Sequence, residues 1–340
     1  MIMKTSKIHD LIAMGRSSID LYSQNIGAPF NDIRAFDAFV GGSPLNIAVG
    51  CARLGADVSL LTAVGQDKVG EFIVDFLQRE HVDTQCIPIK KQARSSAVIL
   101  GIEPPDKFPL VYYRDNAADS QLDIDDVTKA DIENYKIIQI NGTALNMEPT
   151  RSATFLAAEI ANKANTDVIL DLDFRADQWY DIRAFGITVR AILPKVKIVI
   201  GTEEEILATS LGNGSELIIR DQQISAPTIT GDIKKCIQDL LSHGIELLIV
   251  KRGEHGARTY TKDGKITDIP GFPVEVLNVL GAGDAFASGF IYGLLQGWDL
   301  YKCCRMGNAS GAQVVTRKGC ANFMPTLKES MEFIESHGGF

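Results

Sequence analysis

With 340 residues, 45% of them hydrophobic and 23% charged, the chain is long enough for one large α/β domain or two smaller ones with a substantial core. A net charge of -9 excludes a general binder of nucleic acid or acidic membrane, whose affinity needs clustered Lys and Arg, so any phosphate must be held by amides, a few basic residues or a metal. No apolar run is long enough to span a bilayer, residues 1–10 show no signal-peptide pattern, and the six cysteines and five histidines have no metal-ligand or hydrolase spacing, so a cytoplasmic protein without membrane contact is expected.

Residues 8–14 form a short apolar run ending at Gly15 and read as a buried strand, followed by strands at 19–22 and 35–40. Asp20 on the second strand faces either a ligand hydroxyl or solvent. Gly41-Gly42-Ser43-Pro44-Leu45-Asn46 opens a helix in which Ser43 suits the N-cap and Pro44 the first helical position. Leu45, Ala48, Val49 and Ala52 make its apolar stripe, which ends at Gly55. That reading leaves Asn46 over, and an amide on the first turn beside two glycines suits a polyhydroxylated ligand.

Strand and helix then alternate, with a strand at 58–64 and a helix at 69–77. Segments 95–103 and 110–114, rich in Val, Ile and Tyr around Pro104-Pro105, read as a hairpin that joins the early strands in a separate small sheet. Strands at 137–140, 168–173, 197–200 and 246–251 alternate with helices at 150–162, 182–193, 203–210 and 233–242, and a late hairpin pairs 257–260 with 265–269 around Asp263-Gly264. This pattern predicts a parallel sheet covered on both faces, with ligands beyond the carboxyl ends of its strands. The polar groups there are Asp171, Asp173 and Arg175, then Glu203, Glu204 and Glu205, then Lys251-Arg252-Gly253. Each acid group also reads as ordinary helix capping or solvation.

Asn278-Val279-Leu280-Gly281-Ala282-Gly283-Asp284 runs straight into the helical spacing of Ala285, Phe286, Ala287, Phe290, Ile291 and Leu294. A glycine loop opening into a helix presents unpaired amides and a positive dipole end, which bind anions and phosphates above all. Asp284 at that place either caps the helix or takes a proton from a group beside the anion. Phe286 stands where a dinucleotide fingerprint needs its third glycine, and a Walker-type loop is absent.

Gly41-Gly42-Ser43-Pro44-Leu45-Asn46 and Gly281-Ala282-Gly283-Asp284, about 240 residues apart, resemble the two signatures of the ribokinase-like sugar kinases of the PfkB family, and the resemblance covers essentially the whole chain. Four further stretches look most like the branch that phosphorylates 5-dehydro-2-deoxygluconate in inositol catabolism. They are Arg16-Ser17-Ser18-Ile19-Asp20-Leu21-Tyr22, then Glu103-Pro104-Pro105-Asp106 with Tyr113-Arg114-Asp115-Asn116, then Asp171-Leu172-Asp173-Phe174-Arg175, then Gly201-Thr202-Glu203-Glu204-Glu205. The resemblance implies a three-layer α/β/α fold with a central, mostly parallel sheet, as one domain over residues 1–340. It also implies a small β-sheet lid from about 17–40 and 95–115 that serves a homodimer. The implied ligands are a sugar acid, ATP and Mg2+, together with a monovalent cation.

In that resemblance Asp284 takes the proton of the attacking primary hydroxyl, and the amides of Gly281, Ala282 and Gly283 form the anion hole. Asp20, Gly42 and Asn46 match sugar-contacting positions, and Arg114 and Arg175 suit the substrate carboxylate. Lys251, Gly253, Gly256 and Asn308 match the nucleotide side, and Glu204 the magnesium contact. There are two departures. Gly201 stands in place of the Asn of the family's Asn-x-x-Glu, and Asn278 stands in place of an Asp beside the cation. A 2-keto-3-deoxygluconate kinase or a fructokinase shares the site chemistry, while a sugar-binding regulator without turnover is opposed by the intact Gly281-Ala282-Gly283-Asp284.

Overall fold

Six neighbouring strands run parallel because their Val, Ile and Leu runs are apolar on both faces and need helices on each side. A computed structural model of the chain describes residues 7–103, 108–218 and 228–340. It begins with β1 (His9–Met14), β2 (Ser18–Ser23), β3 (Phe36–Gly41), α1 (Ser43–Arg53), β4 (Val58–Leu61) and β5 (Val64–Gly65). Next come α2 (Lys68–Arg79), β6 (Ile89–Lys90), β7 (Ser96–Leu100), β8 (Leu110–Tyr113), α3 (Ile124–Thr128), β9 (Tyr135–Asn141), α4 (Thr150–Lys163) and β10 (Asp167–Asp171). They are followed by α5 (Arg183–Ile192), β11 (Ile198–Thr202), α6 (Glu203–Ala208), β12 (Glu216–Ile218), β13 (Thr228–Thr230), α7 (Ile233–Ser242) and β14 (Leu247–Lys251). The chain ends with β15 (Ala257–Thr261), β16 (Ile266–Ile269), α8 (Ala282–Leu295), α9 (Leu300–Val315) and α10 (Leu327–Ser336).

The central sheet has the order β16-β15-β14-β11-β10-β9-β1-β4, parallel from β14 to β4 and antiparallel at β15 and β16. Strand alternation divides its core. Ile12, Ile138, Leu170, Val199 and Leu248 pack with Ala157 of α4, Phe185 of α5 and Leu240 of α7. Leu11, Ile137, Ile169, Ile200 and Ile249 pack on the other side with Ile47 of α1 and Phe286 and Phe290 of α8. Each such side chain, fully withdrawn from water, contributes about 1.5–3 kcal/mol, which makes the sheet the rigid base for its polar carboxyl-end loops.

The expected strand at 58–64 is broken. β4 ends at Leu61, Thr62 turns its hydroxyl to the Ser17 hydroxyl at 2.9 Å, and β5 pairs instead with β6. The Pro104-Pro105 turn lies outside the described residues.

The early strands and the hairpin form the expected small sheet, ordered β3-β2-β7-β8, in which β2 and β7 run parallel. Its inner face buries Ser18, Asp20, Tyr22, Ser96, Val98 and Leu100, while Ile19, Leu21, Ala97 and Ile99 on the outer face stay half-buried. Because side chains alternate along a strand, Asp20 is held on the same face as its cross-strand neighbour Val98 and, beyond it, Tyr112.

Candidate active site

The two glycine-containing loops meet at one carboxylate. Gly42, the N-cap of α1, has φ 110°, and a Cβ there would lie 2.3 Å from the Arg16 carbonyl oxygen, so only glycine lets the helix start against β1's end. Ser43 is therefore the first helical residue and Pro44 the second, and Ser43 does not cap as expected. Its hydroxyl donates instead to Asp284 Oδ1 at 2.6 Å, while Asn46 Nδ2 donates to Asp284 Oδ2 at 2.7 Å.

The Ser43 hydroxyl is itself oriented by Asn141 Nδ2, which donates to it at 2.7 Å, and Gln139 Nε2 donates to Asn141 Oδ1 at 2.6 Å. Two buried amides at the apolar carboxyl-end half of β9 thus aim one proton at Asp284. Gly281 caps α8 in the left-handed region at φ 81°, with no side-chain cap, and a Cβ on it would meet Cys320 Sγ at 2.9 Å. Both Asp284 oxygens belong to α1, so this acid is not a capping residue. Burial, and then the Asp173 charge, push its carboxyl above the usual range against the Ser43 and Asn46 hydrogen bonds.

Lys251, at the end of β14, places Nζ 3.2 Å from both Asp171 oxygens and 3.8 Å from Glu205 Oε2. A Cβ on Gly283 would lie only 3.0 Å from that Nζ, so the ammonium sits directly against the glycine loop. Burial opposes its charge, but Asp171, Glu205 and Asp284 hold it above the ordinary lysine value. Glu205 is fixed by a capping box with Thr202, accepting from the Thr202 amide at 2.8 Å. Glu204 stands exposed on the same first turn. At Gly201 a Cβ would meet Leu172 Cδ1 at 2.7 Å, so Leu172 fills the space a larger residue would take. Among the described residues no cluster of three His, Cys, Asp or Glu side chains is arranged around a metal position.

On the lid side, Ser18 Oγ donates to Asp20 Oδ1 at 2.6 Å, and burial pushes the Asp20 carboxyl up to about 6 against the pull of Arg16 and Ser18. Buried Arg114 and half-buried Arg175 are both engaged in existing pairs. Arg114 Nε lies 2.7 Å from Asp119 Oδ2 and its Nη1 donates to Gln178 at 3.0 Å, while Arg175 Nη2 lies 2.9 Å from Asp173 Oδ1. Asp173 adopts a left-handed φ of 35° and accepts from Thr143 Oγ1 at 3.0 Å, a strained residue held by its neighbours. Arg16 lies over the Tyr112 ring, 5.3 Å from its centroid.

On the opposite side, Asn308 does not present a free amide. Its Nδ2 donates to the Pro270 and Ile269 carbonyls at 2.9 and 3.3 Å. Gly256 packs against the same segment, since a Cβ there would lie 2.2 Å from the Ile269 oxygen, and Gly253 begins the turn between β14 and β15. Asn278 is buried, donating to the Lys318 carbonyl at 3.0 Å and accepting from the Leu280 amide at 3.0 Å. Just before the glycine loop, Val276, Leu277 and Val279 leave an exposed apolar strip beside an open hollow lined by Pro273, Leu277 and Thr316.

The structure thus gathers Asp20, Asn46, Lys251 and Asp284 with the glycine loop, and sets Gly253, Gly256 and Asn308 into the framework at its edge. Sequence reasoning placed Glu205 among the polar groups at the strand ends without a role, and missed the Ser43 hydroxyl's contact, Asn141 and a separate part for Arg16. Two amides in an apolar strand pattern, Gln139 and Asn141, were the available signal for the Ser43 contact and Asn141.

The family model for pfkB carbohydrate kinases matches residues 9–327. The chain is 36% identical over 327 residues to a 5-dehydro-2-deoxygluconokinase of Clostridium perfringens, covering 96% of this chain and 93% of that protein. It is 34% identical over 338 residues to one of Bacillus anthracis, covering 99% and 98%. Among solved structures, a Xylella fastidiosa fructokinase with bound ATP superposes with a TM-score of 0.83 at 25% identity, covering 97% of this chain and 99% of that one. A putative ribokinase II of Escherichia coli in complex with ATP and Mg2+ superposes at 0.85 with 22% identity, covering 97% and 100%. A Vibrio cholerae fructokinase double mutant with fructose, ADP and potassium superposes at 0.81 with 23% identity, covering 97% and 99%.

Replacing Lys251 by Met leaves two carboxylates facing each other without their cation. Lys251 and Asp171 side chains are only 12% and 2% exposed, and breaking such a pair costs about 3–5 kcal/mol. With its cation gone, the folded-state pKa of Asp171 rises further, so the penalty is smallest where the carboxyl is protonated and grows as pH increases. Urea unfolding midpoints of Lys251→Met should therefore lie nearer the parent protein at pH 5 than at pH 8; an equal deficit at both pH values would show that packing, not charge, is lost.

Proposed function

The chain belongs to the pfkB family of carbohydrate kinases, and from that premise we propose that it transfers the γ-phosphoryl group of ATP to the primary hydroxyl of a sugar acid, namely 5-dehydro-2-deoxy-D-gluconate. The observation that carries this reading is Asp284, a half-buried carboxylate fixed by Ser43 and Asn46 at the mouth of a helix whose first amides have no side-chain cap. The substrate oxygen attacks the γ-phosphorus as its proton passes to Asp284. The bond from that phosphorus to the β-bridging oxygen breaks, and ADP leaves. The amides of Gly281, Ala282 and Gly283 and the Lys251 ammonium face the charge that develops on the phosphoryl oxygens.

Magnesium bound with the nucleotide would neutralise part of the phosphate charge. Glu204 and Glu205 at the start of α6 fit that need, because Mg2+ keeps waters and phosphates as ligands and takes only one or two carboxylates from the protein. The apolar strip of Val276, Leu277 and Val279 next to the glycine loop offers a surface for adenine. Arg114 and Arg175 line the sugar end, which supports an acidic substrate over the neutral sugar of a fructokinase. A turnover panel of sugar acids and neutral sugars with ATP tests the reading directly.

The homodimer belongs to the same proposal. Ala38, Leu21, Ile99 and Val111 lie in one cross-strand row on the outer lid face, beside Ile19, Ala97 and Tyr113 in the next, and a second copy's lid suits this apolar surface. No helix among the described residues is long and apolar enough to cross a membrane. Sedimentation equilibrium should give twice the monomer mass, and Ile99→Glu should return it to the monomer value; a parent protein that sediments as a monomer overturns the dimer.

Asp284→Asn keeps the side-chain shape and one of the two acceptor oxygens but cannot take up the proton, so kcat should fall by about 100- to 10,000-fold with the fold retained. In the parent protein kcat/KM should decline as pH falls through a value above the ordinary aspartate pKa of about 3.9, because burial raises the carboxyl that must be ionised. A fully active Asn variant refutes the assigned base.

At Asn278 the charge that would attract a monovalent cation is absent, and the amide already holds Lys318 and Leu280. Turnover should depend only weakly on potassium at constant ionic strength, with Asn278→Asp increasing the dependence. Strong activation of the parent protein would show that backbone carbonyls suffice.

A further inference from the structure

We propose that Arg16 selects the acidic substrate, its guanidinium pairing with the sugar-acid carboxylate; this rests on the sugar-acid reading above. Arg16 follows Gly15 directly past the carboxyl end of β1, the edge at which the sheet presents its site. Its backbone is pinned, because its carbonyl lies under Gly42 of the first glycine loop. Its side chain reaches the inner lid face, where the guanidinium stacks over Tyr112, which neighbours Val98 and then Asp20 across the sheet.

The residue is only 7% exposed, yet among the described residues no hydrogen bond or ion pair holds its guanidinium, and its buried Nε has no acceptor. Arg305 also has a buried Nε without an acceptor, but its guanidinium and those of Arg114 and the half-buried Arg175 have partners through other nitrogens. Arg114 pairs with Asp119, Arg175 with Asp173, and Arg305 donates to the carbonyls of Pro270, Gly271 and Gly339. Tyr112, Asp20, Asp173 and Asp119 keep Arg16 charged against its burial, but none of the three acids approaches within bonding distance.

A buried charge without acceptors is unfavourable, and a ligand that supplies two carboxylate oxygens relieves it. A planar guanidinium matches a carboxylate in a way an ammonium cannot. Arg114 and Arg175, already paired, shape the pocket around this one donor. The proposal therefore places substrate discrimination on the residue with the most unmet hydrogen-bonding capacity in the site.

The test compares 5-dehydro-2-deoxy-D-gluconate with its neutral primary amide on the parent protein, Arg16→Met and Arg16→Lys, by titration calorimetry without ATP. Arg16→Met should weaken binding of the acid by about 10- to 100-fold, the range for a hydrogen bond to a charged group, and barely change binding of the amide. Arg16→Lys should fall between. Without ligand, Arg16→Met should melt at or above the parent's temperature, because it removes a buried unpaired charge, whereas a purely structural arginine would give a lower one. Equal losses for acid and amide, or a lower melting temperature with the acid's affinity retained, overturn the proposal. Acid that binds through Arg16 but is not phosphorylated overturns the kinase reading alone.

Discussion

The pair of hydrogen bonds from α1 to Asp284 is the constraint on which the rest of the site depends. A carboxylate taken out of water needs donors for its oxygens, and here Ser43 and Asn46 supply them from a helix some 240 positions earlier in the chain. The base and its donors therefore exist as a unit only when α1 and α8 pack on the same face of the sheet. The buried amides of Gln139 and Asn141 extend that unit into β9 and fix the direction of the Ser43 proton, so that core strand, helix start and reactive group share one polar network.

Charge in the site is arranged as unequal neighbours rather than as simple pairs. Asp20, Asp171 and Asp284 are all pushed upward by burial, while Lys251 is held charged by the acids around it. Bringing a highly negative nucleotide into such a place is possible because the cation stands at the glycine loop and the acids stand behind it. At the other end Arg114 and Arg175 are each balanced by an aspartate, which leaves Arg16 as the positive group where a sugar acid would enter.

Much of this was legible in the sequence. Period-two and period-3.6 patterns located the layers because parallel strands buried on both faces are nearly continuous Val, Ile and Leu runs, and the hairpin without an intervening helix revealed the second sheet. The two glycine signatures located the centre. What stayed hidden depends on which face meets which. Ser43 has the composition of a cap, but the left-handed Gly42 shifts the helix start by one residue and turns the hydroxyl to Asp284. Glu204 and Glu205 are indistinguishable by composition, whereas the capping box turns only Glu205 toward Lys251. Arg16 has no local pattern at all, because its lack of partners is a property of the folded surroundings.

The contact between Gly201 and Leu172 bears on how this chain could change over evolutionary time. Gly201 lies on β11 and Leu172 just past the end of the neighbouring β10, and the leucine fills the volume that a side chain at 201 would need. Restoring an amide there in one step meets a clash, and shrinking the leucine first opens a void in the core. Each single move carries a packing cost set by the neighbour, so the two positions are expected to drift as a pair. A lineage that exchanged both would find the return path costly at either first step, and the turn that opens α6 is left to be tuned by residues farther along the helix.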